Sequence, residues 1–166
     1  MDFIASGIGT PGWYRTYVIE NHLAYGYYGE FCICTTYNNS TNVVIKFAVL
    51  ITHSKVEIHL LDSCGSTDVI DEIRVMRTND ESKYMIDIHY RLSNSNSVVF
   101  KCLSEVRGNT TFGNTFYNAG TYVPVADSSA DEVLITTADL SQEVIPMNFK
   151  SFADLLSGGG SPPLSR

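Results

Sequence analysis

One stretch of the chain, residues 69–106, alternates apolar and polar side chains over three successive runs. The gaps between the runs are TNDESK and SNSNS, both rich in turn-forming residues. Alternation with a period of two is typical of strands that bury one face. The stretch therefore predicts a three-stranded antiparallel meander.

The alternation also predicts the register, because a slip of one residue would turn the wrong side chains to the core. The core-facing set is Val69, Ile73 and Val75 in the first run, Tyr84, Ile86, Ile88, Tyr90 and Leu92 in the second, and Val98, Phe100, Cys102 and Val106 in the third. We expect Ile73 to lie near Ile88 across the first turn, and Tyr90 near Phe100 across the second.

The opposite face of the meander carries complementary charges. The same register sets Arg74 opposite Asp87 and Glu72 opposite His89, with Lys101 beyond. Such cross-strand pairs contribute roughly 0.2–1 kcal/mol each. We expect these groups to be partners of one another on an exposed sheet face.

Strand-like runs continue on both sides of the meander. The 166 residues suit a single domain, and only 17% of them are charged while Ser, Thr, Asn and Tyr are abundant. About eight strands without a long helix predict an all-β fold, an antiparallel β-sandwich or jelly-roll-like domain. We expect a lead-in over residues 1–12, the sandwich over 13–142, and an apolar clip with a Gly/Ser/Pro tail over 143–166.

Two runs constrain how the sandwich packs. In residues 13–20 the alternation places on one side Trp13, Arg15, Tyr17 and Ile19. The run 43–53 is apolar on nearly both faces, whereas a strand of an antiparallel sheet normally has one face in water. We expect this run to be covered twice, either by a second sheet or by another subunit.

The composition argues against several classes of partner. The formal net charge of −7 disfavours binding to nucleic acid, which requires clustered Lys and Arg. No apolar run reaches the roughly 18 residues of a spanning helix, and the N-terminus lacks the features of a signal peptide. We expect no nucleic-acid partner, no membrane insertion and synthesis in a reducing cytoplasm.

The cysteines fit a reducing compartment. Their spacing indicates neither a disulfide framework nor the C-x-x-C pair of a zinc site. We expect reduced thiols in or near the core at all four positions, Cys32, Cys34, Cys64 and Cys102.

Carboxylates and histidines supply the candidate catalytic groups. They are Asp71, Glu72 and Asp87 with His89, Glu57 with His59, and His53. A glycosidase needs two carboxylates roughly 5–10 Å apart across a cleft, one of them in an apolar setting. The register instead gives Asp87 and Glu72 cationic or imidazole partners on an exposed face. We therefore expect no catalytic residue and no enzyme.

The histidines give no metal signature. His53, His59 and His89 share no short spacing on one element and have no acidic ligand set at metal-binding distances. The G-x-S-x-G pattern of a serine nucleophile is also missing. We expect no metal and no cofactor.

The aromatic residues are more informative. The chain has ten tyrosines and eight phenylalanines, several beside Gly and Asn in predicted loops. Aromatic faces with amide neighbours can stack on and hydrogen-bond to a sugar or protein ligand. The candidate ligand-binding residues are Tyr25, Tyr27, Tyr28, Phe116, Tyr117 and Tyr122. The alternative is that these rings pack loops down or line a subunit interface.

Two motifs carry a resemblance to a known family. IDEIRV, residues 70–75, is followed by YMIDIHY, residues 84–90, and the pair is similar to the I-x-x-I-R-V and Y-[LI]-D-I-Y-Y motifs of a domain recurring in tail-fibre and tailspike proteins of bacteriophages and prophages. The similarity covers roughly residues 10–142.

The resemblance implies a homotrimeric, non-catalytic β domain of a virion, made in the host cytoplasm. Its implied partners are other fibre or tail proteins and a bacterial surface glycan or protein. Threefold packing would also cover the second apolar face of residues 43–53. Two alternatives remain open, a surface-polysaccharide-degrading enzyme domain and a stand-alone carbohydrate-binding module.

Overall fold

The fold is a β-sandwich of two antiparallel sheets, as the sequence predicts. A computed structural model describes residues 2–20, 26–35, 43–65, 69–107 and 114–140. The strands in these ranges are β1 (Ile4–Ile8), β2 (Gly12–Glu20), β3 (Tyr27–Thr35), β4 (Val43–Ile51), β5 (Val56–Gly65), β6 (Ile70–Thr78), β7 (Lys83–Tyr90), β8 (Asn94–Arg107), β9 (Thr115–Phe116), β10 (Val123–Val125) and β11 (Glu132–Asp139).

The first sheet has the strand order β1-β8-β3-β4-β5, and the second has the order β10-β2-β7-β6-β11, with β9 also pairing with β2. The strand β1, within the predicted lead-in, pairs with β8. The predicted C-terminal clip and tail, residues 143–166, lie outside the described residues. In the described ranges no helix is long and apolar enough to cross a bilayer.

The first hairpin of the predicted meander is confirmed. In the pairing of β6 with β7, Ile73 lies opposite Ile88, and Arg74 lies opposite Asp87. Glu72 lies opposite His89 in the ladder as predicted, but the carboxylate that is hydrogen-bonded to the imidazole is that of Asp71, at 2.6 Å. Alternation of the side chains was therefore enough to fix this register.

The third strand of the meander was assigned to the wrong sheet. Strand β8 crosses to the first sheet, where Phe100 pairs with Ile4 and Ile33 instead of approaching Tyr90 in a ladder. Lys101 accordingly lies opposite Cys32 and not beyond the charges of the hairpin. The reason is that β7 already has β2 and β6 as neighbours and offers no free edge to β8.

The core lies between the two sheets and is rich in aromatic rings. Phe31 stacks on Phe47 and on Phe100, with centroid distances of 5.4 and 5.6 Å. Tyr14 and Tyr90 make an edge-to-face contact at 5.6 Å. Aromatic pairs in these geometries add about 0.5–1.5 kcal/mol beyond the area they bury.

Two members of the predicted core-facing set are exposed. Leu92 is 41% exposed because it follows the end of β7 in the connection to β8. Val106 is 67% exposed. Leu103 is an extra residue in the pairing of β8 with β3. The residues after it therefore exchange their inward and outward positions, which places Val106 on the outer face.

A second bulge overturns the predicted face of β2. The extra residue is Thr16, between the pairs that Arg15 and Tyr17 make with β7. Trp13 and Arg15 therefore lie on the outer face, whereas Tyr17 and Ile19 are in the core. The strict alternation predicted for residues 13–20 was wrong at this bulge.

Strand β4 is covered on its inner face by the second sheet, one of the two expected coverings. Its inward residues are all buried: Val43, Ile45, Phe47, Val49 and Ile51. On the outer face Ala48 is fully buried, but Val44 is 37% exposed and Lys46 is also exposed. Covering of that face by another subunit stays a prediction.

All four cysteines are free thiols. Cys64 is exposed, and the other three are partly buried on the strands of the first sheet. Burial raises the pKa of the Cys102 thiol to about 11.

Candidate functional site

The outer face of the second sheet holds a buried network of charged side chains. Adjacent strands place Arg15, Asp87 and Arg74 side by side, because Asp87 pairs with Arg15 on one side and with Arg74 on the other. Arg15 donates to both Asp87 carboxylate oxygens at 2.8 and 3.0 Å, and Arg74 Nε donates to Asp87 Oδ2 at 3.0 Å. Glu132 completes this ion network, accepting from Arg15 at 2.7 and 2.8 Å.

The expectation that Asp87 is exposed was wrong, since it is fully buried and Arg15 and Arg74 are only 5% and 4% exposed. The connection between β10 and β11 covers the network. Arg74 donates to the backbone oxygens of Ala126 and Asp127 at 2.9 and 2.7 Å.

Aromatic rings flank both guanidinium groups of the network. The Arg74 guanidinium carbon is 4.1 Å from the centre of the Trp13 ring, and that of Arg15 is 5.8 Å from the centre of the Tyr117 ring. Cation–π contacts of this kind are strengthened where water is excluded. The rings therefore both shield the charges and stabilise them.

The contact between Arg15 and Glu132 favours the charged form of both groups. Burial alone would lower the pKa of Arg15, but hydrogen bonds to Glu132 and Asp87 outweigh burial and raise it. The hydrogen bond from Arg15 lowers the pKa of Glu132. A general acid needs the opposite perturbation, a carboxyl group whose pKa is raised toward neutrality.

Arg15 and Glu132 were not predicted as members of this network. Sequence alternation pairs Asp87 with Arg74 and places Arg15 on the same side of its strand as Tyr17 and Ile19. The available signal was the spacing of Tyr14 and Tyr17, since two core aromatics three positions apart in a strand require a bulge between them. No such local signal pointed to Glu132.

A recess of about 340 Å³ opens beside the ion network on the same outer face. Its lining combines aromatic, apolar and charged groups: Arg15, Val18, Glu20, Thr78, Lys83, Met85, Thr115, Phe116, Tyr117 and Glu132. Tyr117 is 48% exposed, while Phe116 is partly buried with its ring 5.1 Å from that of Tyr17. We call this region the Tyr117 recess.

Two other predicted ligand-binding residues, Tyr27 and Tyr28, line a different recess of about 270 Å³ on the first sheet. Tyr27 is only 4% exposed, and its hydroxyl donates to Glu105 Oε2 at 2.7 Å. Tyr28 is partly exposed, and its hydroxyl donates to Glu30 at 3.0 Å. The structure therefore separates the predicted aromatic residues into two places.

The last two predicted ligand-binding residues lie elsewhere. Tyr122 is 5% exposed, packs in the core and donates to the Val98 carbonyl at 2.9 Å. Tyr25 falls outside the described residues. Of the five candidates within the described residues, Tyr28 and Tyr117 present the ring surface that a stacking ligand would need, and their binding stays a prediction.

A third feature of this face was missed when the histidines were considered alone. One donor atom each from Asp71, Glu72 and His89 lies within 4.8 Å of the other two, and His89 Nδ1 is 2.6 Å from Asp71 Oδ1. The expectation that His89 has no nearby acidic ligand set was therefore wrong. By contrast, His59 has only an exposed pairing with Glu57 at 2.8 Å, and His53 lies exposed in a turn.

The fold and this face define an antiparallel β-sandwich protein with a charged, aromatic-lined recess on one outer face. No family model matches the chain, and no curated protein matches it. The fold is similar to part of a Pantoea stewartii protein, WceF, described as a glycan biofilm modifying enzyme with a bacteriophage tailspike-like parallel β-helix fold.

The likeness to WceF has a TM-score of 0.48 at 13% sequence identity. It covers 88% of this chain and 26% of that protein, so the chain spans about a quarter of its length. A likeness this distant does not indicate what the chain does.

Proposed function

We propose that the protein is a non-catalytic, receptor-binding or structural component of a bacteriophage tail fibre or related virion appendage. In this role it attaches to a glycan or protein on the bacterial surface. The observation that carries the proposal is the Tyr117 recess, where an exposed aromatic ring stands beside Arg15, Glu132 and Lys83. Concave sites with an aromatic wall and a few polar groups are typical of ligand binding.

The sequence resemblance supports the virion context. Its two motifs form the hairpin of β6 and β7, which supplies Asp87 and Arg74 to the ion network and Lys83 to the Tyr117 recess. The motifs that carry the resemblance are therefore also the scaffold of the proposed binding face.

The charge state of the face supports a role without catalysis. Asp87 is held by two arginines, and Glu132 has a lowered pKa because of Arg15. Hydrolysis of a glycosidic bond requires a protonated carboxylic acid next to the bond. Carboxylates that already accept hydrogen bonds from arginine favour binding over proton transfer.

We further propose that three copies assemble, with other fibre or tail proteins as partners. The outer face of β4 leaves Val44 exposed and Leu50 partly exposed. Burying these apolar side chains against another copy would help to stabilise the assembly. Native mass measurement is expected to give three chains per particle. A stable monomer in dilute solution would contradict the trimer but leave binding through the Tyr117 recess open, as for a stand-alone carbohydrate-binding module.

Binding is tested with the assembled protein on glycan arrays and on whole bacterial cells. Tyr117→Ala is expected to weaken binding by about tenfold or more, as for an aromatic residue at the centre of a binding site. The matched control is Phe3→Ala, which removes an aromatic ring that is 44% exposed, lies just before β1 of the first sheet and is not a candidate ligand-binding residue. Particle mass should stay the same in both variants, and Tyr117→Ala should cost no more than the roughly 0.5–1 kcal/mol of an exposed cation–π contact, because its ring lies over Arg15.

Three outcomes would contradict parts of this proposal. Equal binding by the Tyr117→Ala variant would exclude the Tyr117 recess as the receptor site. The lack of binding to any cell or glycan would favour a purely structural role. Release of new reducing ends from a capsular polysaccharide would favour the alternative of a polysaccharide-degrading enzyme domain.

A further inference from the structure

We propose that Asp71, Glu72 and His89 form a binding site for a first-row divalent transition-metal ion, with Zn²⁺ as the representative ion. This inference is independent of the proposed function. One carboxylate oxygen from each acid and one imidazole nitrogen lie within 4.8 Å of one another. In the tetrahedral geometry usual for Zn²⁺, bonds of about 2.0–2.2 Å place the donors of a single ion about 3.3–3.6 Å apart, so side-chain rotations must bring the three donors about 1 Å closer together.

The local backbone explains why two consecutive acids reach one imidazole. Successive side chains of a regular strand point to opposite faces of the sheet. In β6 the pairing with β7 shifts between Ile70 and Glu72, which leaves Asp71 as an extra residue. A bulge of this kind re-aims a side chain, so Asp71 joins Glu72 on the side of His89.

Contacts with two neighbouring side chains fix the orientation of the His89 imidazole. The Trp13 ring contacts His89 edge-on at a centroid distance of 4.9 Å, and Asp71 binds its Nδ1 atom. The His89 and Asp71 side chains are 25% and 20% exposed, so an ion can reach them from solvent without any opening of the fold. The three protein donors leave at least one coordination position for water.

The donor chemistry selects the class of metal. Imidazole nitrogen suits zinc, copper, nickel and iron, whereas calcium and magnesium prefer sites made of oxygen ligands. When they bind a metal, the two carboxylates are negatively charged, and this charge compensates that of a divalent cation.

The test uses the intact, untagged chain after removal of metal with EDTA. Calorimetric titration with ZnCl₂ is expected to give one ion per chain at this site. His89→Gln and Asp71→Asn are each expected to weaken binding by more than the roughly 10–100-fold that loss of an outer-shell partner costs. The matched control is His59→Gln, because His59 pairs with the carboxylate of Glu57 but has no third donor nearby among the described residues.

A second measurement separates loss of the metal from loss of the fold. Zn²⁺ should raise the unfolding temperature of the wild type and of His59→Gln, since an ion that binds only the folded state stabilises it. The His89→Gln variant should unfold cooperatively in EDTA and show no such rise. Unchanged Zn²⁺ binding by the His89→Gln variant would overturn the proposal, and so would the absence of both heat and stabilisation in the wild type at millimolar Zn²⁺.

Discussion

Replacing Asp87 by asparagine removes the charge at the centre of the ion network while keeping the size of the side chain. Asp87 accepts three hydrogen bonds from Arg15 and Arg74 and is fully buried. Removing one partner of a buried ion pair costs about 3–5 kcal/mol, because the remaining charge is left buried without compensation.

The structure favours the lower end of that range. After the replacement, Arg15 keeps its two hydrogen bonds to Glu132, and Arg74 keeps two backbone carbonyls. Asparagine also retains one acceptor oxygen. We therefore expect the Asp87→Asn variant to lose about 3 kcal/mol of unfolding free energy, a large fraction of the roughly 5–15 kcal/mol of a typical domain.

The assay is urea unfolding followed by tryptophan fluorescence, with Glu57→Gln as the matched control. Glu57 pairs with Lys55 and His59 on the exposed surface, so its replacement is expected to leave the unfolding free energy nearly unchanged. Because burial protects the Asp87 network from screening, the difference between the two variants should persist in 1 M NaCl. A loss under about 1 kcal/mol for Asp87→Asn, or one equal to that of the control, would refute the claim that the network stabilises the fold.

Two further predictions test the local geometry. A Cβ atom on Gly29 would collide with the ring and hydroxyl of Tyr27, so Gly29→Ala is expected to cost about 1–3 kcal/mol in chemical unfolding, and an unchanged stability would contradict this. Hydrogen bonds from Ser82 and Thr78 lower the pKa of Asp80 from 3.8 to about 2. This contribution to stability is present above the unfolded pKa near 4 and is lost as the pH falls through about 2, and an NMR titration midpoint near 4 would contradict it.

The sequence predicts the parts of this fold in which alternation is uninterrupted. The hairpin of β6 and β7 is the clearest case, because Ile73, Ile88, Arg74 and Asp87 pair as the pattern requires. Alternation shows that a strand buries one of its faces, but it does not show to which of the two sheets the strand belongs. That is why β8 was recognised as a strand and assigned to the wrong sheet.

Extra residues in the ladders account for most of what was missed at the candidate site. An inserted residue reverses the inward and outward parity of every position after it. Thr16 turns Tyr17 inward and leaves Arg15 outside, and Asp71 brings a second acid to His89. The contact between Arg15 and Glu132 joins residues 117 positions apart, a distance at which no pattern in the sequence is informative.

Through side-chain contacts, the ion network also connects the two candidate sites on this face, the Tyr117 recess and the cluster around His89. Trp13 stacks on Arg74 and contacts His89, while Tyr117 lies over Arg15 and borders the recess. A change within the network should therefore disturb both sites by displacing these rings, even if no network residue touches a ligand. Loss of binding or of turnover in Asp87→Asn would then report on positioning, so a functional role is better tested at Tyr117 and His89, whose side chains are open to solvent.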